Sequence, residues 1–164
     1  MSRSIGPVLR QRWRWLSALP GGRWLFSRIL GYMAPYTGSV GARIEQLEPG
    51  FCRVRLKDRR AVRNHLHSIH AIALCNLGEM ATGLALMNSL PENTRGILVG
   101  ICANYHHKAR GMLHAECRCA IPSDNHEQQY EVVANLHDSN GETVTTVTAT
   151  WLIGPDKPRD DNAN

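Results

Sequence analysis

Apolar side chains recur along this chain with two different periods, and the switches between them mark its elements. In "SVGARIEQLEP" (39–49) Val40, Ala42 and Ile44 alternate with polar neighbours. In "FCRVRLKD" (51–58) Cys52, Val54 and Leu56 alternate with Arg53, Arg55 and Lys57. Pro49-Gly50 between them reads as a tight turn, so the two runs predict a β-hairpin. Residues 59–69 form a polar connection, and "HAIALCNLGEMATGLALMNSL" (70–90) predicts one long helix closed by Pro91. Four more strand-like runs follow at 96–107, 111–121, 128–138 and 143–153, with an Asn-Gly turn inside "DSNGE".

The order is strand, strand, long helix, then four strands joined by short links, which implies an antiparallel meander. A helix that is apolar on nearly all sides is normally buried. A curved antiparallel sheet wrapped around that helix, an α+β fold, buries both partners at once. The expected organisation is a basic helical arm at 1–36, the sheet domain at 37–155 and a polar, disordered tail at 156–164. In the arm, two short helices break at Pro20-Gly21-Gly22, and the second lays Leu25, Ile29 and Met33 on the core before Pro35 ends it.

Charge sharpens the picture of the arm. Residues 1–44 hold seven arginines and no acid, whereas the remainder holds twelve basic and fourteen acidic residues. The net charge of +5 therefore belongs to the arm, and a nucleic-acid partner, which wants a basic stripe on the folded body, is not expected. Arginine recurs too often for a secretory signal. An organellar transit peptide and an interfacial helix, with Trp13, Trp15 and Trp24 in a headgroup layer, are the alternatives to a structural cover, so peripheral membrane contact through the arm stays open. Five cysteines without CxxC spacing suit reduced thiols and a cytoplasmic location better than a disulfide or zinc framework.

The chemistry concentrates in "RNHLHSIHAIALCNLGEMATG" (63–83). His65, His67 and His70 give HxHxxH, but Ile69 stands where the related metal-binding string carries an aspartate, so no metal is expected. As a membrane span the helix would carry Glu79 at its centre, a cost of about 2.5–3.5 kcal/mol on insertion scales. A carboxylate on a buried helix is neutralised, paired or functional. Asn76, Glu79 and Gly83 fall on one face of the helix and would form an active-site wall, while the bland alternative is a structural Glu79 bonded to backbone or to an arginine. Nine residues separate His70 from Glu79, so they lie about half a turn out of phase and about 13 Å apart. If both act, each must serve a different site, as in a two-fold dimer.

The same stretch resembles the N-H-x-G-[TS]-x-H-G-G-x-x-x-x-L-x-[DE] signature of hotdog-fold acyl-CoA thioesterases of the PaaI type. The closer likeness is to a hotdog branch catalogued as a domain of unknown function and labelled thioesterase-like, which shares "YHHKARG" (105–111) and the Pro35–Gly38 turn. The resemblance covers residues 22–154. It implies a metal-independent acyl thioesterase, homodimeric or tetrameric, that needs no cofactor beyond the coenzyme A or acyl carrier protein of its substrate. Glu79 would be the base or nucleophile, the Ala71 and Ile72 amides would polarise the carbonyl, and Asn64 and His70 would shape the site. Asn76, Gly83 and His67 would line it, and Lys108 and Arg110 would hold phosphates, unless they are only solvated strand-end charges. Ala71, Ile72 and His67 stand where the signature has glycines, which would favour a non-catalytic acyl-CoA or acyl-carrier-protein binder instead. The hydratase-type motif of hotdog dehydratases is not found.

Overall fold

The computed structural model describes residues 5–156. Its elements are α1 (Ile5–Ser17), α2 (Gly22–Met33), α3 (Pro35–Ser39), β1 (Arg43–Glu48), β2 (Phe51–Lys57), α4 (Ala71–Met87), β3 (Thr94–Tyr105), β4 (Met112–Arg118), β5 (Gln128–His137) and β6 (Thr143–Pro155). Six antiparallel strands form one sheet in the order β1-β2-β4-β5-β6-β3. The period-two residues supply its inner face: Val54, Leu56, Leu113, Ala115, Leu136, Val147 and Ile153 are all fully buried. α4 lies against that face, burying Leu77, Ala81, Ala85 and Leu86. The α+β architecture expected from the pattern is the one observed, and it agrees with the hotdog fold that the resemblance implies. The tail expected at 156–164 lies outside the described residues except for Asp156.

Only β4, β5 and β6 meander. The expected neighbour relation between β3 and β4 does not hold, because β3 pairs with β6 at the far edge of the sheet. Residues 106–111 carry the chain from that edge across to β4. Curvature permits this short crossing, since the sheet wraps α4 and brings its distant strands together at the helix start. There His106 and His107 donate to the Val144 carbonyl, and Ile69 donates to that of Ala109 at 2.9 Å. β3 is thereby left as an edge strand with Ile97, Val99 and Ile101 exposed.

The arm does form two helices that meet at the Gly21-Gly22 break, with Gly21 at φ 75°. α1 is tied down at its far contact by Arg10, which donates to the Asn88 and Leu90 carbonyls at the C-terminal end of α4 (2.5 and 3.1 Å). A cation at that end also meets the negative pole of the helix dipole. α2 packs a different stripe from the one expected. Phe26 is 2% exposed and stacks edge-on against Trp13, whereas Leu25 and Met33 are 43% and 62% exposed. α2 has apolar residues on two faces, and the choice is made by Ser27, whose hydroxyl accepts from the Ile44 amide on β1. Trp13 is buried with Phe26; Trp15 and Trp24 remain at the surface.

No helix among the described residues is long and apolar enough to cross a membrane. All five cysteines are free thiols. Cys52 faces Cys117 across β2 and β4, and burial pushes the Cys52 thiol far up, which leaves it a core side chain without nucleophilic character.

Candidate functional site

The sequence-predicted residues separate into two groups at different levels of α4. The first surrounds the helix start. Asn64 organises the loop before it: its Oδ1 accepts from the amides of Leu66 and Ser68 and from the Ser68 hydroxyl. Those bonds close a compact turn in which His67 takes φ 55°, the left-handed region that favours glycine. His67 thus holds a backbone conformation that suits glycine, the residue the signature carries at this position. Arg110 donates to the His67 carbonyl at 3.3 Å, and the Tyr105 hydroxyl donates to the Ala71 carbonyl at 3.1 Å. Lys108 is exposed at the same end.

His70 is the N-cap of α4. Its Nδ1 accepts from the Ile72 amide at 3.1 Å. One of the two amides expected to face a substrate carbonyl is therefore engaged by the imidazole, and the first-turn donor at Ala71 is the one left pointing out of the helix end. His65, His67 and His70 do not converge, and among the described residues no three His, Cys, Asp or Glu side chains form a group able to hold a metal ion.

The second group lies further along α4, where the helix is not covered by the sheet. A cavity of about 730 Å³ sits there between α2, α3, the start of β1 and the helix. Glu79, Met80, Gly83 and Met87 line it from α4, and Trp151 lines it from β6. Glu79 is half-buried on this wall, and among the described residues its carboxylate has no hydrogen bond or ion pair. Burial pushes its carboxyl up from the ordinary range, with no neighbouring cation to offset it. Burial, followed by the nearby Glu79 charge and Cys102, raises the Cys75 thiol as well.

Gly83 does reach this cavity, but the space it leaves is taken by the Trp151 ring: a Cβ there would lie 3.0 Å from Cη2 and Cζ2. The indole Nε1–H donates to the Thr82 hydroxyl at 3.4 Å, and that hydroxyl donates to the Glu79 carbonyl, so the ring is fixed beside the acid. Asn76 is not on the cavity wall. It is buried, with its Oδ1 lacking a hydrogen-bond partner among the described residues, while Ile72, Cys75 and Glu79 are the accessible residues beside it. Asn76 and Glu79 are three residues apart and so remain neighbours on the helix surface, differing in burial rather than in face.

Sequence reasoning missed four participants. Trp151 carries only the ordinary alternation of a strand, and Tyr105 is hidden at the end of one. Arg28 and Arg43 line the same cavity from α2 and β1. Their only signal was an arm with seven arginines and no acid to pair with them.

The family model described as a domain of unknown function (DUF4442) matches residues 22–153. No protein of curated function matches the sequence. Among solved structures, the structural-genomics protein APC5556 is 27% identical with a TM-score of 0.76, over 90% of this chain and 99% of that one. PA5026 of Pseudomonas aeruginosa, described as a probable thioesterase, is 23% identical with a TM-score of 0.71, over 84% and 97% of the two chains. A thioesterase-family protein of Silicibacter pomeroyi is 21% identical with a TM-score of 0.67, over 79% and 96%. At such identities the last two establish a common fold. With the match across residues 22–153, which spans most of its length, the chain belongs to the DUF4442 family.

Proposed function

We propose that the protein hydrolyses an acyl thioester, with coenzyme A or an acyl carrier protein as the thiol, without a metal ion and with Glu79 as the reacting carboxylate. The observation that carries this reading is Glu79 itself: an unpartnered, half-buried carboxylate on the wall of a largely apolar cavity, its basicity raised by burial. A structural role would have supplied a partner. A carboxyl shifted toward the working pH is a better general base than an ordinary one. Glu79 would take a proton from water as the water oxygen attacks the carbonyl carbon. The C–S bond then breaks, the thiolate leaves with the proton, and a carboxylic acid and a free thiol result. The apolar length of the cavity, closed by Met87 and Trp151, supports a medium or long acyl chain.

The helix start and Glu79 are at different levels of one chain, which supports a homodimer in which one copy's Ala71 amide serves the carbonyl facing the other's Glu79. The unpaired outer edge of β3, with Ile97, Val99 and Ile101 exposed, is the surface best suited to such pairing. Five unpaired thiols suit a reducing compartment such as the cytoplasm.

One observation favours a non-catalytic carrier instead: the Ile72 amide is bound to His70 and is not free for an oxyanion. A panel of saturated acyl-CoA substrates, followed by release of free thiol, decides between them. The thioesterase reading expects turnover that rises with chain length to an optimum. Acyl-CoA binding with no hydrolysis above background at any length would leave only the carrier.

A further inference from the structure

The cavity beside Glu79 has two chemically different ends, and the sheet register fixes their direction. Gly96 pairs with Ile153 at the level of the α4 C-terminus, where Met87 also lines the wall. Arg43 pairs with Arg55 at the opposite level, two residue pairs from the β2–β4 end at Lys57 and Met112. The end near Met87 is apolar. The end near Arg43 carries two guanidinium groups, Arg28 and Arg43, and among the described residues neither has a hydrogen bond or an ion-pair partner.

Arg43 and Trp24 are shared with a second cavity of about 470 Å³ on the outer face of β1 and β2. Arg23, Arg53 and Arg55 line this groove, with Glu45 beside them and Glu116 paired with Arg53. Its arginines are held in place. Arg23 donates to the Glu45 carbonyl at 2.9 Å, Arg55 pairs with the Glu45 carboxylate at 3.3 Å, and Arg53 is bound to Glu116. The groove is thus lined by fixed arginines and meets the polar end of the first cavity at Arg43, with Arg28 on the wall of that cavity.

We infer that Arg28 and Arg43, backed by the Arg23–Arg53–Arg55 groove, form the subsite for the phosphate groups of a phosphopantetheine carrier. This rests on the thioester reading of Glu79 and orients the substrate: acyl chain toward Met87 and Trp151, thioester at Glu79, carrier toward Arg43. Guanidinium groups bind phosphate bidentately, and a cluster at a water-exposed mouth adds binding without touching the reacting bond. Lys108 and Arg110 line neither cavity, and Arg110 is engaged by the His67 carbonyl.

The test compares one acyl group on coenzyme A and on N-acetylcysteamine, a thiol without phosphates, in the wild type, Arg28→Ala, Arg43→Ala and Arg43→Lys. The expected result is a KM for acyl-CoA raised about tenfold in each alanine variant with little change in kcat, partly restored in Arg43→Lys, and no change for the N-acetylcysteamine thioester. Equal losses on both thioesters, or none on either, would overturn the subsite. The same variants assayed on acyl-carrier protein identify the carrier: a penalty confined to that substrate supports a protein-borne phosphopantetheine. Titration with free coenzyme A and with pantetheine separates this inference from the catalytic one. Coenzyme A binding that Arg43→Ala weakens, and that pantetheine does not match, upholds the subsite even if no thioester is hydrolysed. A loss of coenzyme A affinity in Lys108→Ala with none in Arg43→Ala would contradict it.

Discussion

At the scale of single residues, Glu79 and His67 each hold a locally unfavourable state. The Glu79 carboxyl is raised by burial, so the folded chain binds its proton more tightly than the unfolded chain does. Its penalty is full above the raised folded-state value and disappears as the pH falls toward the ordinary carboxylate range, about 4.3. Glu79→Gln is therefore expected to raise Tm at pH 7 to 8 and to give no gain near pH 4, checked by thermal unfolding across that range. A gain that persisted at pH 4 would mean that packing, not charge, caused it. His67 sits at φ 55° with its side chain exposed. His67→Gly should stabilise the fold by up to about 1 kcal/mol in urea unfolding, the relief of strain outweighing the added freedom of the unfolded chain. Glu79 was legible in the sequence because a lone acid in an apolar helix has few explanations. The capping role of His70 was not, because a histidine before a helix can turn either ring nitrogen inward or the whole ring outward.

At the scale of elements, the fit between α4 and the sheet rests on Gly78. A Cβ there would lie 2.4 Å from the Val147 Cβ. Gly78→Ala should destabilise the protein by about 1–2 kcal/mol in denaturant unfolding, although alanine is the better helix former by about 1 kcal/mol. A stabilised variant would show that the helix can move off the sheet at no cost. Periodicity located every long element within a few residues, since each strand had to present one apolar face. It could not say which strand lies beside which. β3 and β4 are consecutive and both alternate, yet the curved sheet places β5 and β6 between them. The arm failed for a related reason: α2 offers Phe26 on one face and Leu25, Ile29 and Met33 on another, and only the Ser27 bond to β1 decides between them. Spacing puts Asn76 on one helical face with Glu79, but its burial depends on neighbours that spacing does not report.

At the scale of the whole molecule, the accessible residues of α4 and the exposed edge of β3 are the two surfaces that the proposed dimer would use. Sedimentation equilibrium should find a dimer. Ile101→Lys, a charge on the apolar edge strand, should raise its dissociation constant at least about tenfold and reduce turnover with it. A monomer with full activity would dismiss the shared site. The proposed function was legible only through Glu79 and the signature around it, because the arginine-bearing end of the cavity is assembled from α2 and β1, distant in sequence from α4. The central claim is that Glu79 is the reacting base. Its most direct measurement is thiol release from the best acyl-CoA substrate by wild type and Glu79→Gln, with folding of the variant verified by circular dichroism. The expected result is a loss of about 10²–10⁴-fold in kcat, with wild-type activity falling on the acid side at a pH above the ordinary carboxylate range. A Glu79→Gln enzyme that turns over within a few-fold of wild type would contradict it.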